Sequence, residues 1–312
     1  MEFLSNNFIS DFFVIVLKWV FSWVNEYSVA IILVTIAIRL LILPLDLKQK
    51  KGSRKMALVQ PKLESLKKRF SNNPQQMQKK QKELYAQEGV KPLAGCLPML
   101  ITMPLFFAFF GAMRVLAAEQ QVWFILNAQN IGEGAFNLPS WLWVNNFWQP
   151  DSGLSDILPT GPKFVEFVQQ NSSYISPQAL YMLSDSGLVS FDPVAGMQAE
   201  PAYEALRSSI LTANGVSGVK NGWFILPILA GGSLFLQQKI SMKQNPSMQQ
   251  QAKMMLYIFP LFSVYICVTA SAAFSVYWLA ANIYALGQVL VLNYIYKKHD
   301  QHAKEGIVTE GS

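Results

Sequence analysis

The chain has 312 residues, of which 52% are apolar, 13% aromatic and only 14% charged, with a formal net charge of +6 at pH 7. A soluble domain of this length carries roughly a quarter charged residues, so the deficit excludes an ordinary water-exposed globule and points to long stretches that never meet water. Two cysteines, and two histidines confined to the polar tail (His299 and His302), leave little for a disulfide framework, a metal centre or histidine-based catalysis.

From the N-terminus, residues 1–27 carry an apolar run that Asp11 and Lys18 cut into pieces too short to span a bilayer. It reads as an external amphipathic helix lying in the interface, with Trp19 and Trp23 as anchors; a true span is the alternative. Five segments then meet the need for about 20 apolar residues in a helix, some of them barely: 28–45, 97–116, 223–240, 254–270 and 275–296. Between the first two lies a polar stretch, 46–96, and between the second and third a long segment, 117–222. Residues 241–253 and 297–312 complete the chain as a short loop and a tail.

Charge orients these spans. Residues 45–97 hold 13 of the 25 Lys and Arg against four acids, whereas 117–221 hold nine acids and three bases. Basic loops stay in the cytoplasm, so 46–96 is inside and 117–222 outside. The loop with Lys239, Lys243 and Lys253 and the tail after Lys297-Lys298 are inside again. The N-terminus is therefore expected outside and the C-terminus in the cytoplasm. Cys96 and Cys267 then fall near opposite faces of the bilayer, out of disulfide reach.

Within 46–96, Met56, Val59, Leu63, Leu66 and Phe70 recur at steps of three and four, an apolar stripe on a Lys-rich helix. Ser71-Asn72-Asn73-Pro74 stops that helix and starts another, which carries Met77, Leu84 and Tyr85 and ends at Gly89. The pair predicts an antiparallel helical hairpin. It reads equally as a solvated connector held near anionic headgroups by its lysines and as a docking arm for ribosomes or nascent chains.

Arg39 is the most informative residue. It lies eleven residues into the first span, and none of the five spans contains Asp or Glu. Arginine stays charged, and an unpaired charge at such a position costs several kcal/mol unless water reaches it. One reading is snorkelling, since Pro44 is only about 7 Å along the helix at 1.5 Å per residue. The other is a hydrated groove in the cytoplasmic half of the bundle, lined by Thr35, Thr102, Gln288 and Asn282, with Gln237 and Gln238 near its end. Each of these polar residues alone reads as an interhelical hydrogen bond.

Several of these residues carry a family resemblance. Ile31 through Arg39 followed by Pro44-Leu45, the hairpin with Gln60-Pro61-Lys62, and above all Lys91-Pro92-Leu93-Ala94-Gly95-Cys96-Leu97-Pro98 running to Thr102-Met103-Pro104 resemble the YidC membrane protein insertases. So, in order, do Leu226-Pro227, Gln238-Lys239, Asn245-Pro246 with Met248-Gln249-Gln250, Phe259-Pro260, and Tyr277-Trp278 with Asn282. The resemblance covers about 8–150 and 222–298. It departs at Thr102, where the family often has Gln, and in about 70 extra residues near 151–220, expected to form an external subdomain with weakly helical stretches at 163–170 and 201–213. The large external domain that some Gram-negative relatives carry before the core has no counterpart here, so the N-terminus is expected to be of the Gram-positive type.

The resemblance implies an all-α polytopic protein of the bacterial inner membrane: five transmembrane helices around a cytoplasm-open hydrophilic groove, with an N-terminal interfacial helix and a cytoplasmic hairpin. It implies no cofactor and no catalytic residues. Its partners would be nascent membrane proteins and the lipid bilayer, with the ribosome, the signal recognition machinery and the Sec translocon as further candidates, and no direct DNA binding. Arg39 would attract a client's acidic external segment into the groove, and Met103, Pro104, Tyr277 and Trp278 would contact the client's apolar span. A small-solute transporter is the main competitor. It would be expected to show midplane carboxylates and internal repeats, and neither is visible in this sequence.

Overall fold

The computed structural model describes residues 8–90, 97–192, 196–244 and 249–310. The motif residues 91–96 with Cys96, the Asn245-Pro246 pair and Met248 lie outside that set. So do the side chains of Thr102, Lys243, Gln249, Gln250, Lys253, Lys297, His299 and His302. In chain order the described elements are α1 (Phe8–Val24), α2 (Tyr27–Arg69), α3 (Pro74–Gln87), α4 (Leu97–Ile131), α5 (Gly161–Gln170), α6 (Pro177–Asp185), β1 (Val189–Asp192), β2 (Gly196–Ala199), α7 (Pro201–Ala213), α8 (Ile225–Gln244), α9 (Gln249–Thr269) and α10 (Ala272–Glu310). Among the described residues, α2 and the Ala272–Tyr296 part of α10 are long and apolar enough to cross a bilayer, and Met255–Thr269 is a shorter apolar helix. The other two expected spans, 97–116 and 223–240, fall on α4 and α8.

The chain divides into two compact units. The first comprises Met1–Val34, Leu105–Ala230 and Ser263–Trp278. In it α1 buries Phe13, Val14 and Leu17, with the Phe13 ring 4.4 Å from that of Phe109. Lys18 pairs with Glu119 at 2.6 Å. Phe8, Phe12, Ile15, Trp19 and Trp23, spaced four, three, four and four apart, are all exposed. The helix is therefore apolar on two faces. One packs on protein where a purely interfacial helix would be polar, and the other carries the tryptophans.

Helix α4 runs to Ile131, well past the expected end near 116. Its 35 residues extend roughly 52 Å, against a hydrocarbon thickness of about 30 Å. The excess has a use: Ala118, Val122, Ile125, Leu126 and Ala128 form one wall of a buried cluster completed by Phe164, Val168, Leu183, Tyr203 and Ile210. The extra segment is thus built onto a helix extension. Both expected helical stretches are present, as α5 and α7; α6 and the β1–β2 hairpin, paired antiparallel from Val189↔Ala199 to Asp192↔Gly196, are additional. Helix α5 starts with Pro162, whose missing N–H costs nothing in a first turn. Phe164 stacks on Tyr203 (centroids 4.4 Å apart), and the Tyr203 hydroxyl donates to the Pro159 carbonyl at 2.8 Å. Burial pushes the Tyr203 hydroxyl pKa far up, so it remains a donor at every accessible pH.

A single carboxylate ties this segment to α8. Asp151, fully buried, accepts from the backbone N–H of Trp223 (2.7 Å), Phe224 (3.0 Å) and Leu226 (2.8 Å) and from the Trp143 indole (3.0 Å). The first turn of a helix leaves its N–H groups without intrahelical partners and favours negative charge. Asp151 supplies both needs from more than seventy residues away. Beside it, Asn146 N–H donates to Asn221 Oδ1 (2.8 Å) and Asn221 Nδ2 donates to the Asn146 carbonyl (2.9 Å). Gly222 sits between at φ +73°, where an added Cβ would overlap the Asp151 carboxylate.

Asp156 makes the subdomain's exposed charge cluster, paired with Lys220 (2.5 Å) and Lys163 (2.9 Å). Burial pushes its carboxyl up, but the hydrogen bonds and charges of the two lysines outweigh this and hold it below its ordinary value. A carboxylate depressed in the folded state contributes stability that is fully present above its unfolded pKa of about 3.9 and is lost as pH falls through the folded value. Asp156→Asn is therefore expected to lower the unfolding free energy at pH 7 by about 1 kcal/mol or less, because both lysines are half-exposed or more. The difference from wild type should shrink in high salt and vanish as pH falls through the lowered folded-state pKa of Asp156, as read by thermal unfolding across pH.

The second unit comprises Thr35–Pro104, Gly231–Phe262 and Leu279–Ser312. Here α2 continues without interruption through Pro44 and Pro61 as one 43-residue helix, so the expected span 28–45 and the Lys-rich helix after it are one element. Each proline removes one i→i−4 hydrogen bond, but the turns beyond Pro61 stay packed: Val59 and Leu63 are buried with Leu84 and Val90, flanked by Met56, Leu66 and Tyr85. This is the expected hairpin. Asn73 caps α3 by accepting from Gln76 N–H at 3.0 Å, with Pro74 in the first turn. Gly89, at φ +61°, lets the chain turn so that Val90 N–H reaches the Tyr85 carbonyl. Lys62 and Glu88 pair at 2.5 Å across the two helices.

Candidate functional site

In the second unit, residues 39–54 of α2 lie beside residues 284–296 of α10 in parallel. The Tyr284 hydroxyl donates to the Arg39 carbonyl (3.4 Å), the Lys50 ammonium to Gln288 Oε1 (3.0 Å), and the Arg54 guanidinium lies 4.4 Å above the Tyr296 ring. Residue numbers rise together along both helices, so both run in the same sense.

Arg39 is half-buried and makes no ion pair among the described residues. The nearest carboxylate along its own helix is Asp46, seven residues on and hence on the same face about 10 Å away. Thr35 and Asn282, expected in the groove, are buried, at 2% and 7% exposure. The Thr102 side chain lies outside the described residues.

Gln288 is drawn into a defined place. It lines a cavity of about 520 Å³ together with Leu43, Leu47, Tyr284, Gly287, Val291, Leu292 and Ile295. Its Nε2 is buried with no hydrogen-bond partner in the protein, and so is that of Gln49. This wall is more apolar than the polar lining read from sequence. Lys50 and Tyr284 were not among the expected residues. The spacing Leu43, Leu47, Lys50, Arg54, in steps of four, three and four, was the available signal that one face of α2 changes from apolar to cationic. Burial lowers the Lys50 ammonium pKa, and the nearby Asp46 carboxylate opposes that shift.

The four residues expected to touch a client's apolar span differ in their surroundings. Met103, at 42%, and Pro104 are exposed. Tyr277, in the first unit, is 3% exposed and stacked face to face on Phe109 with centroids 4.1 Å apart. Trp278 is half-buried; its indole donates to Ser263 Oγ at 2.5 Å and its ring meets Phe106 edge-on at 5.0 Å. Tyr277 thus sits within an aromatic cluster with Phe274 and Phe109.

A family model described as 60Kd inner membrane protein matches residues 19–300. Among similar proteins, the membrane protein insertase MisCA of Bacillus subtilis is 29% identical over 272 residues, 86% of this chain and 70% of that protein. The membrane protein insertase YidC of Oceanobacillus iheyensis is 29% identical over 280 residues, 86% and 75% of the two chains. That of Fusobacterium nucleatum is 26% identical over 283 residues, 90% and 93% of the two chains.

Proposed function

Because the chain belongs to the 60Kd inner membrane protein family, we propose that it inserts integral membrane proteins into a bacterial membrane and assists their folding. The observation that carries this reading is the match across 19–300, which takes in the spans, the hairpin and Arg39 together. Five helices, α2, α4, α8, α9 and α10, are assigned to the bilayer, with the N-terminus outside and the C-terminus in the cytoplasm. The parallel course of α2 and α10 supports this, since both would cross from outside to inside.

A client's short acidic external segment would approach from the cytoplasm toward Arg39, which has no ion-pair partner among the described residues to compete with it. The client's apolar span would then pass along α4 and α10 into lipid, past Met103, Pro104 and Trp278. Burial of apolar surface drives the step, and the membrane potential adds about 2.3 kcal/mol per charge per 100 mV. No nucleotide and no covalent chemistry are required. The Lys-rich face of the α2–α3 hairpin suits a polyanionic partner such as the ribosome, whether clients arrive alone or through the Sec translocon.

The test is insertion of a one- or two-span client with an acidic external tail in cells depleted of their own insertase. Rescue by this chain, scored by protease accessibility of the tail, is the expected result. A chain folded in the membrane that gives no rescue would overturn the proposal in favour of solute transport.

A further inference from the structure

We propose that the cavity between α2 and α10 is a binding site for one anionic phospholipid of the cytoplasmic leaflet, its acyl chain along Leu43 and Leu47 and its phosphate at Lys50 and Arg54. The inference rests on the assignment of α2 and α10 to the bilayer.

Three features of the site select this ligand. The first is the change of character along one helix face: Leu43 and Leu47 line the cavity, and Lys50 and Arg54 follow on the same face, one and two turns on. An amphiphile with an apolar chain and an anionic head has the same order of chemistry along its length. The second is the pair of buried amide nitrogens. Gln288 lines the cavity and its buried Nε2 has no acceptor among the described residues; Gln49, beside Lys50 in the chain but not in the lining, has another such nitrogen. A buried unpaired donor costs about 1–3 kcal/mol, and the ester and phosphate oxygens of a phospholipid are acceptors. Lys50 already holds Gln288 by its Oε1 at 3.0 Å, so a small turn of the carboxamide would present its unpaired N–H₂ to the ligand.

The third feature is depth. Leu47 lies two residues beyond the span that ends at 45, and Lys50 five residues beyond it, about 8 Å at 1.5 Å per residue. The donors are therefore at the level where an inner-leaflet lipid carries its ester and phosphate groups. The rim residues Val291 and Ile295, 58% and 50% exposed, leave the cavity open to the side. A client's acidic segment shares the negative charge, but it would not use the six apolar and aromatic walls.

The experiment is native mass spectrometry of the full chain, delipidated in mild detergent and titrated with phosphatidylglycerol or phosphatidylcholine. Wild type is expected to retain one phosphatidylglycerol in preference to phosphatidylcholine. Lys50→Gln should weaken phosphatidylglycerol about fivefold, the equivalent of ~1 kcal/mol for a basic residue at an anionic surface, and leave phosphatidylcholine unchanged. Leu47→Trp, whose ring intrudes on the acyl-chain path along the cavity wall, should weaken both. Equal retention of the two lipids by wild type, or unchanged phosphatidylglycerol binding in both variants, would overturn the site. So would its occupation by an acidic apolar peptide that phosphatidylglycerol fails to displace. Client rescue is scored separately: lipid selectivity without rescue sinks the insertase reading alone, and rescue without selectivity sinks the lipid site alone.

Discussion

Arg39→Ala is expected to reduce insertion of a client with an acidic external tail by at least about tenfold, while Arg39→Lys retains most of the activity. Two unit charges 4 Å apart at an effective dielectric of about 20 attract by roughly 4 kcal/mol. Solvent around the half-buried Arg39 screens much of that, yet even a third of it corresponds to about a factor of ten. Lysine keeps the charge but not the planar fork, so a point-charge role tolerates it. A client whose tail acids are replaced by Asn should lose its dependence on residue 39. The stability of the protein itself should not fall in Arg39→Ala, because removing an uncompensated charge relieves a desolvation cost. The measurement is the rate at which the tail becomes accessible to external protease in depleted cells, with thermal unfolding of the purified variants beside it. Equal rates for all three chains would return Arg39 to the snorkelling role.

Asp151→Ala is expected to be the most damaging single change in the segment between α4 and α8, costing on the order of 4 kcal/mol or more. The carboxylate accepts four hydrogen bonds, three from the first turn of α8 and its approach and one from Trp143. Its removal leaves buried donors unpaired at about 1–3 kcal/mol each, and losses above 4 kcal/mol are reserved for such broken networks. Asp151→Asn keeps one acceptor oxygen but turns an amide N–H₂ toward the remaining donors, so it should recover less than half of the loss. Limited proteolysis from the outer side reads this out: cleavage within 151–220 should appear in Asp151→Ala and not in wild type. Protection equal to that of wild type would mean that Asn146 and Asn221 hold the segment without it.

Much of this protein was legible from local signals. The hairpin was readable because its determinants lie within 35 residues: the stripe Met56, Val59, Leu63, Leu66, the Asn73-Pro74 start, and Gly89, which alone needs a left-handed backbone. Helix α4 continues to Ile131, beyond the segment 97–116 expected as a span. Its hydrophobic pattern does not change in kind at 116; the partner of the helical face changes instead, from the bundle to Phe164, Val168 and Tyr203, which no window around 116 contains. Helix α2 likewise runs on through Pro44, since proline weakens a helix only locally.

The sequence by itself determined where the apolar segments lie, how charge is distributed between them and that Arg39 stands in a segment without Asp or Glu, because these depend on composition and on periodicity within a turn or a segment. Only the tertiary structure decided that Asp151 caps a helix starting some seventy residues later, that Lys50 holds Gln288 from 238 residues away, and that the lining around Gln288 is largely apolar. Those depend on which faces meet. A carboxylate in a loop or a lysine past a span looks the same in sequence whether solvent or a buried donor awaits it, and only the packing of distant segments makes that choice.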